Sequence, residues 1–262
     1  MTTAYLRLRP LFTRVLAGVD AVWVGFWLGV LDHDDYHAID EAHYTATERY
    51  RDDAHTARGL FDWEARAISE HFPARGRILL LAAGGGRESY ALAKRGYVVE
   101  GYECNAALVE YANTFLNREG VDAAVQLLAR DTPPPGRERF DAIIIGWSGY
   151  MLVDTAARRV ALLMSLRSRV SDGAPILLSF FTRGTSTSRY RIVARVANAL
   201  RALRGRARIE EGDDLAPNFL HRFTKDEIDA ELASAGFTLI EFRPQGEGPF
   251  DSGYAVATAG LL

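Results

Sequence analysis

From Arg77 onward, short apolar runs alternate along the sequence with stretches of helical periodicity. This alternation is the pattern of parallel strands joined by right-handed crossovers, so it predicts an α/β fold with a doubly wound sheet flanked by helices. Seven strands are predicted, at residues 77–82, 97–102, 124–128, 141–146, 175–181, 238–243 and 254–258. The connection between the last two, PQGEGPFDSG, leaves no room for a helix. We therefore expect five parallel strands followed by an antiparallel terminal pair.

The polarity of the chain changes sharply before this region. Residues 36–58 are polar and rich in His, Asp, Tyr and Thr, and helical periodicity returns from Gly59. We predict an N-terminal helical appendage at residues 1–58 and an α/β domain at residues 59–262. An insertion at residues 182–223 is expected to hold a helix around residues 189–204 whose arginines face outward. Thr224 and Glu227 form a capping box that opens the next helix.

Residues 15–31 are strongly apolar and follow Arg7, Arg9 and Arg14, the layout of a signal peptide or membrane anchor. Asp20 argues against both. The large apolar side chains recur at helical spacing: Val15, Leu16, Val19, Val22, Trp23, Phe26, Trp27, Val30 and Leu31. Small and polar residues fall on the other side: Gly18, Asp20, Ala21, Gly25 and Gly29. We expect the large apolar face to pack on the domain or on the second copy of a homodimer; contact of residues 15–31 with a membrane surface and a membrane span are the alternatives.

Net charge and cysteine content indicate which partners, covalent links and cellular compartment the chain suits. The formal net charge of -3 gives no general attraction to nucleic acid, so no nucleic-acid partner is expected. Cys104 is the only cysteine, which excludes an internal disulfide and a cysteine-built metal site. A reducing cytoplasm fits this composition best.

The segment ILLLAAGGGRES, from Ile78, places an apolar strand directly before a glycine triplet and a helix start. Residues without a Cβ let the backbone turn tightly and approach a ligand, and the free amides at the helix N-terminus face polar or anionic groups. Glu103 ends the next strand, 19 residues after Gly84, where a carboxylate can accept ribose hydroxyls. Together they predict a site for a nucleoside-bearing cofactor; a merely flexible turn and a solvated glutamate are the alternatives.

At these residues the chain resembles the class I S-adenosylmethionine-dependent methyltransferase superfamily, over roughly residues 59–259. Four features of the family recur in order along this chain. They are the glycine turn AAGGGRES, Glu103 as the acid at the ribose, Asp131 in LLARDT as the acid at the adenine, and the fourth-strand segment FDAIIIGWSGY. HRFTKDEIDAELASAGF resembles the family's late helix leading into the sixth strand. The resemblance implies S-adenosylmethionine as cofactor, S-adenosylhomocysteine as product, and O- or N-methylation of a small-molecule acceptor by in-line displacement. It implies cofactor contacts from Ala83, Gly84, Gly85, Gly86, Glu88, Glu103, Cys104, Asp131, Thr132, Gly146 and Trp147.

Two residues depart from the family's pattern. The family usually has an acid two residues before its first motif glycine; this chain has Leu80 at the acid's position and Ala82 at the glycine's. The ammonium group of the cofactor's methionine then has fewer acidic partners than is usual in the family. Glu88, at the start of the helix, is our candidate to compensate, and the alternative is an acid that is there because the helix dipole favours it.

The acceptor is expected beside the methyl group, over the C-terminal ends of the strands. The candidate residues for catalysis and acceptor binding come from the loop after the fourth strand, from His221 before the capping box and from the polar appendage. Histidine titrates near neutrality, so His221 is a candidate base, and Tyr150 is the second catalytic candidate. Expected substrate contacts are His37, Tyr44, Trp63, Ser148, Tyr150 and His221. His33 and His37 share one helical face as divalent-metal ligands do, but without a defined ligand set no metal is expected.

Two other functions fit parts of the pattern. A glycine-rich turn with a later acid also describes an NAD(P)-dependent oxidoreductase, although Ser89 replaces the usual third glycine and the antiparallel strand pair favours methyl transfer. The chain is alternatively a non-catalytic cofactor-binding sensor or a membrane-associated scaffold that uses its apolar N-terminal helix. Both alternatives stay open at this point.

Overall fold

The computed structural model describes residues 2–184, 188–246, 248 and 251–260, so residues 247, 249 and 250 of the predicted loop lie outside it. A seven-stranded sheet forms the centre in the order β3-β2-β1-β4-β5-β9-β8. Its strands are β1 (Arg77–Leu81), β2 (Val98–Glu103), β3 (Ala124–Leu127), β4 (Ala142–Ile145), β5 (Pro175–Phe180), β8 (Phe237–Arg243) and β9 (Gly253–Ala259). The predicted seven-stranded α/β sheet is confirmed.

The strand pairing explains where a ligand can bind. β1 pairs in parallel with both β2 and β4, so the strand order reverses beside β1 and a crevice opens above the C-terminal strand ends. β9 lies between β5 and β8 and is antiparallel to both. The short connection predicted its antiparallel pairing with β8, and the insertion of β9 beside β5 was not predicted.

Helices cover both faces of the sheet, which is why β4 and β5 are buried along their whole length. Leu79 and Ile143 point into one core, against α7 (Ala156–Arg167) and α9 (Lys225–Ser234). Leu80 and Ile144 point into the other, against α4 (Asp62–His71), α5 (Arg87–Lys94) and α6 (Ala106–Arg118). α9 begins with the predicted capping box, in which Thr224 accepts from the Glu227 amide at 3.3 Å.

The insertion holds α8 (Ser188–Leu203) and a hairpin of β6 (Asp213–Leu215) and β7 (Phe219–His221). The hairpin was not predicted, because each strand has three residues and aspartate has a low preference for strands. The outward placement of the arginines is wrong for Arg201, which is 8% exposed and donates to the Leu31 carbonyl at 3.4 Å.

The N-terminal residues form α1 (Thr2–Val30), α2 (His33–Ala46), a 3₁₀ turn (Glu48–Arg51) and α3 (Asp53–Ala57). Aspartates cap two of the helices: Asp32 accepts from the Asp35 amide at 3.2 Å, and Asp52 accepts from the His55 amide at 2.7 Å. α2 contacts α6 and β7, and α3 contacts α5, so this part lies directly on the α/β layers. The domain boundary at residues 58/59 stays a prediction.

α1 packs against α8 through the side opposite to the one predicted. Ala21, Gly25 and Gly29 face α8, and a Cβ on Gly25 would lie 2.8 Å from the Val193 carbonyl oxygen. The large apolar residues at positions 15, 16, 19, 22, 23 and 26 are instead 43% to 62% exposed. Small residues let the two helix backbones approach closely, and Val24 and Leu28 on the same side are buried with them. The expectation that the large face packs on the domain is therefore wrong for residues 15–26, whereas Leu31 of that face does pack against this core.

Candidate cofactor site

A cavity of about 360 Å³ lies at the C-terminal ends of β1, β2 and β4, where the strand order reverses. Its floor is the turn after β1 and the end of β2. One wall comes from the loops after β3 and β4. α2, the 3₁₀ turn and α3 partly cover it, through His37, Asp40, Glu41, Tyr44, Tyr50, His55 and Thr56.

The turn after β1 is left-handed at three residues, with φ of 52° at Ala82, 53° at Gly84 and 86° at Gly86, which caps α5. Glycine adopts this conformation without cost, whereas Ala82 does so under strain. The loop after β4 lies tightly against Ala82. A Cβ on Gly146 would be 2.5 Å from the Ala82 carbonyl oxygen, and one on Gly149 would be 2.6 Å from the Ala82 Cβ. Both glycines are therefore required by close packing at the strand tips.

Gly85 is covered from outside. A Cβ at this position would lie 2.0 Å from the Tyr50 carbonyl oxygen, so the 3₁₀ turn sits directly on the glycine turn. No residue with a side chain fits there without displacing the covering segment.

Glu103 ties the tips of β1 and β2 together. Its Oε2 accepts from the Gly84 amide at 2.9 Å, and its Oε1 accepts from the Cys104 and Asn105 amides at 2.8 and 2.9 Å. A carboxylate offers about four acceptor positions, so these three amides fix its orientation and leave capacity for a ligand hydroxyl.

Glu88 belongs to a buried group of three charges beside the turn, which we call the Glu64–Arg87–Glu88 triad. Arg87 donates to Glu64 at 2.6 and 2.7 Å and to Glu88 Oε1 at 2.7 Å, and its guanidinium lies 3.9 Å from the Phe61 ring centroid. Glu88 Oε1 also accepts from the Trp147 amide at 3.1 Å. Burial raises the pKa of Glu64. Two carboxylates and one guanidinium leave the ionised triad with a net charge of -1, and Arg87 and Glu88 line the cavity.

Asp131 sits where α2 meets the α/β layers, with a left-handed φ of 56°. Its Oδ2 is 3.3 Å from His33 Nε2, 3.6 Å from His37 Nε2 and 3.3 Å from Arg158 Nη1. His33 Nδ1 lies 3.0 Å from Asp154. The Arg158 guanidinium, 2.8 Å from His33 Nε2, thus fills the place that a cation would take between these groups.

Aromatic rings lie over the turn. Trp147 is 5.0 Å from Phe61, 5.8 Å from His55 and 6.2 Å from Tyr50, measured between ring centroids. Burial and the nearby Arg87 lower the pKa of His55, so this imidazole is neutral near pH 7. Burial and the charge of Arg130 lower the pKa of His37 in the same way.

The structure brings most of the predicted site residues to the cavity. Those that line it are His37, Tyr44, Ala83, Gly84, Gly85, Glu88, Glu103, Cys104, Asp131, Thr132 and Trp147. The predicted residues that do not are Trp63, Gly86, Gly146, Ser148, Tyr150 and His221. Trp63 and Gly146 line a much smaller cavity that shares Glu88 and Trp147 with the main one.

The two catalytic candidates lie outside the cavity lining. Tyr150 is fully buried and donates to Glu231 at 2.5 Å, and burial raises its pKa well above the usual value. His221 is 1% exposed, with Nδ1 2.7 Å from Asp213. All three residues of β7 are buried, so the strand carries His221 into the interior. Ser148 is likewise buried, with its amide donating to Ser179 at 2.7 Å. This arrangement gives no support to Tyr150 or His221 as catalytic residues.

Several lining residues were missed, among them Asp40, Tyr50, His55, Arg87 and Arg130. Arg130 forms an ion pair with Asp40, whose other oxygen accepts from Asn218 at 2.6 Å. The only sequence signal for Arg87 and Arg130 was position, since one follows the glycine triplet and the other precedes Asp131.

Comparison with known proteins finds similarity in structure. No family model matches the sequence, and no curated protein matches it. A S-adenosylmethionine-dependent methyltransferase from Methanosarcina mazei is 20% identical, with a TM-score of 0.63 over 78% of this chain and 100% of that one. CalS10, an amino pentose methyltransferase from Micromonospora echinaspora bound to S-adenosylmethionine, is 18% identical, with a TM-score of 0.54 over 87% of this chain and 98% of that one. The glycopeptide N-methyltransferase MtfA, bound to S-adenosylhomocysteine, is 20% identical, with a TM-score of 0.54 over 75% of this chain and 88% of that one.

Proposed function

We propose that this chain, which has the fold of the class I S-adenosylmethionine-dependent methyltransferases, binds S-adenosylmethionine in the cavity and methylates an oxygen or nitrogen of a small-molecule acceptor. The observation that carries the proposal is the Gly84 amide bonded to the Glu103 carboxylate at the edge of the cavity, where the strand order reverses. That position suits the ribose of a nucleoside cofactor.

Two features favour this cofactor over a dinucleotide. β9 runs antiparallel between β5 and β8, whereas the sheet of dinucleotide-binding folds is mostly parallel. The third glycine of the dinucleotide motif serves close packing of helix on strand, and here Ser89 stands at that position. Gly101 on β2 provides the space instead, since a Cβ there would lie 3.2 Å from Ser89 Oγ.

The charges along the cavity suggest the cofactor's orientation. Glu103 would accept hydrogen bonds from the ribose hydroxyls, and the loop at Asp131 and Thr132 would contact the adenine. The methionine end would then lie at Gly84 and Gly85, beside the triad. Because the ionised triad carries a net charge of -1, the methionine ammonium has a counter-charge there, which supports Glu88 as the replacement for the missing acid at Leu80.

Methyl transfer from a sulfonium needs alignment, exclusion of water and, for a protonated acceptor, a base. The acceptor's lone pair forms the new bond to the methyl carbon as the carbon–sulfur bond breaks, leaving a neutral thioether. His55 and His37 line the cavity as weakly basic, neutral imidazoles, so they are better placed than His221 to take the acceptor's proton. Trp147 lines the cavity, and its ring would stabilise the sulfonium cation if the bound cofactor lay against it.

A small acceptor fits the partly covered cavity, which α2 and the segment after it enclose from one side. The names of two structural neighbours, an amino pentose methyltransferase and a glycopeptide N-methyltransferase, agree with acceptors of this kind.

Isothermal calorimetry with S-adenosylmethionine and S-adenosylhomocysteine tests the cofactor. We expect wild type to bind both, and Glu103→Gln to bind at least about tenfold more weakly, because hydrogen bonds to a charged acceptor contribute about 1.5–3 kcal/mol. Glu100→Gln is the matched control, on the same strand but outside the cavity lining, and should bind like wild type.

Folded wild-type protein that binds neither compound would remove the proposal, and a stable complex with NADH would support the oxidoreductase in its place. Incubation of metabolite fractions with methyl-labelled cofactor then identifies the acceptor.

A further inference from the structure

α1 carries an apolar surface that the described protein does not cover. We call it the outer face of α1; its members are 43% to 63% exposed and recur every three or four residues: Tyr5, Leu8, Phe12, Val15, Val19, Val22, Trp23 and Phe26. At 1.5 Å per residue this stripe is about 30 Å long. Single exposed apolar residues are ordinary on proteins, but a contiguous stripe of this length marks an interaction surface.

The opposite side of α1 already holds the helix in place. Asp20 pairs with Arg189 at 2.9 Å, and Gly25 and Gly29 lie against Val193 and Leu200. These contacts set the two helices side by side and parallel, with residue 20 next to the first described turn of α8. Residues 5–17 extend beyond that turn, and every described side chain among them is exposed. The outer face is therefore not an unused part of the α8 contact.

The charge on α1 indicates which partner suits the outer face. Arg7, Arg9 and Arg14 are its basic residues, Asp20 is the first acid of the chain, and Asp20 is already paired. At 100° per residue, Arg7 and Arg14 fall on the side away from the outer face, so the exposed part of the helix has an apolar side and a basic side. α1 has no acid besides Asp20 with which the arginines of a second copy could pair, whereas an anionic lipid surface supplies negative charge along its whole length.

We propose that α1 binds the surface of an anionic lipid bilayer, lying along the interface with its outer face toward the acyl chains. An apolar face backed by basic residues is the form of an interfacial helix, and the aromatic rings of Tyr5, Trp23 and Phe26 suit the boundary between headgroups and acyl chains. This inference does not depend on the proposed methyl transfer.

Length alone would also permit a span, since within the described residues the stretch Tyr5–Val30 is long and apolar enough to cross a membrane. The interfacial arrangement accounts for two observations that a span does not. The arginines at positions 7, 9 and 14 fall inside that stretch, and Ala21, Gly25 and Gly29 pack on α8, which keeps that part of the helix beside the protein.

Flotation of the full chain with vesicles tests the inference. We expect wild type to float with vesicles of phosphatidylcholine and phosphatidylserine, to float less with phosphatidylcholine alone, and to be released in part by raised salt. Val19→Asp and Trp23→Asp should each reduce binding at least about tenfold, because both residues lie on the outer face. Leu127→Asp is the matched control, since Leu127 is 59% exposed on the edge strand β3, and it should bind like wild type.

Wild type that stays unbound with anionic vesicles, or outer-face variants that bind like Leu127→Asp, would overturn the inference. Light scattering with size exclusion identifies the alternative. A dimer that Trp23→Asp dissociates would assign the outer face to a second copy of the chain. Circular dichroism of each variant confirms that the fold is kept, so that a loss of binding reports on the surface.

Discussion

Replacing Arg87 with methionine tests the energetics of the buried triad. The side chain donates to the Gly59 carbonyl at 2.8 Å, to Glu64 at 2.6 and 2.7 Å and to Glu88 at 2.7 Å, and Arg87 is 3% exposed. Removing one partner of a buried ion pair costs about 3–5 kcal/mol, and this change leaves two carboxylates uncompensated, so we expect about 4–5 kcal/mol. Unfolding entropy of about 2.1 cal/mol/K per residue over 262 residues gives about 0.55 kcal/mol/K, so Tm should fall by about 7 to 9 °C.

Thermal and urea denaturation of wild type, Arg87→Met and Arg77→Met measure the loss in the free energy of unfolding and the fall in Tm. Arg77 is a matched control because its side chain is 44% exposed and lies 3.5 Å from Glu100, and exposed pairs contribute less than about 1 kcal/mol. Adding Glu64→Gln to Arg87→Met should restore part of the loss, since one unpaired carboxylate disappears. Burial raises the folded pKa of Glu64 above its unfolded value, so the deficit should also shrink as the pH falls. Equal losses for Arg87→Met and Arg77→Met would refute the reasoning.

The remaining predictions concern protonation and close packing. His37 and His55 have folded pKa values below the usual 6.5, so the unfolded chain gains protons first and the free energy of unfolding should fall as the pH drops below about 6.5. Urea titrations across that pH range should show a smaller fall in the free energy of unfolding for His55→Gln than for wild type. An equal fall in the two proteins would contradict the lowered pKa of His55. Gly85→Ala should cost about 1–3 kcal/mol, because its Cβ meets the Tyr50 carbonyl oxygen at 2.0 Å. Gly120→Ala, left-handed at φ 64° but with open space around it, should cost only about 1 kcal/mol, and equal costs would argue against the clash.

The sheet was predictable because burial on both faces leaves a continuous apolar run in the sequence. β1 and β4 were located to within a residue for this reason, and the short final connection fixed the antiparallel pair. The hairpin β6–β7 was not, since its three-residue strands are held by tertiary contacts. Periodicity showed which residues of α1 share a side, but it contains no information on which side meets the protein.

The candidate site likewise contains residues that the sequence predicted and residues that it did not. Gly84 and Glu103 were found because a tight turn and a strand-end acid are local features. Arg87 was missed because its burial depends on Glu64, 23 residues away in sequence. Tyr50 covers the glycine turn through a backbone carbonyl, an interaction for which its side chain carries no signal.

The contact between the strand tips has a consequence for the evolution of the chain. Ala82 takes the place that glycine has in the resembling family, and its Cβ occupies the space that a Cβ on residue 149 would need. Gly149 therefore compensates for Ala82, and the two positions should covary among relatives of this protein. Alanine at 82 should accompany glycine at 149. In a relative with glycine at 82 that clash is absent, and a small side chain at 149 then has the Gly146 carbonyl oxygen, 3.2 Å from its Cβ, as nearest neighbour. The order of the two substitutions is then constrained as well, because the larger residue is tolerated at 82 only after the smaller one is present at 149.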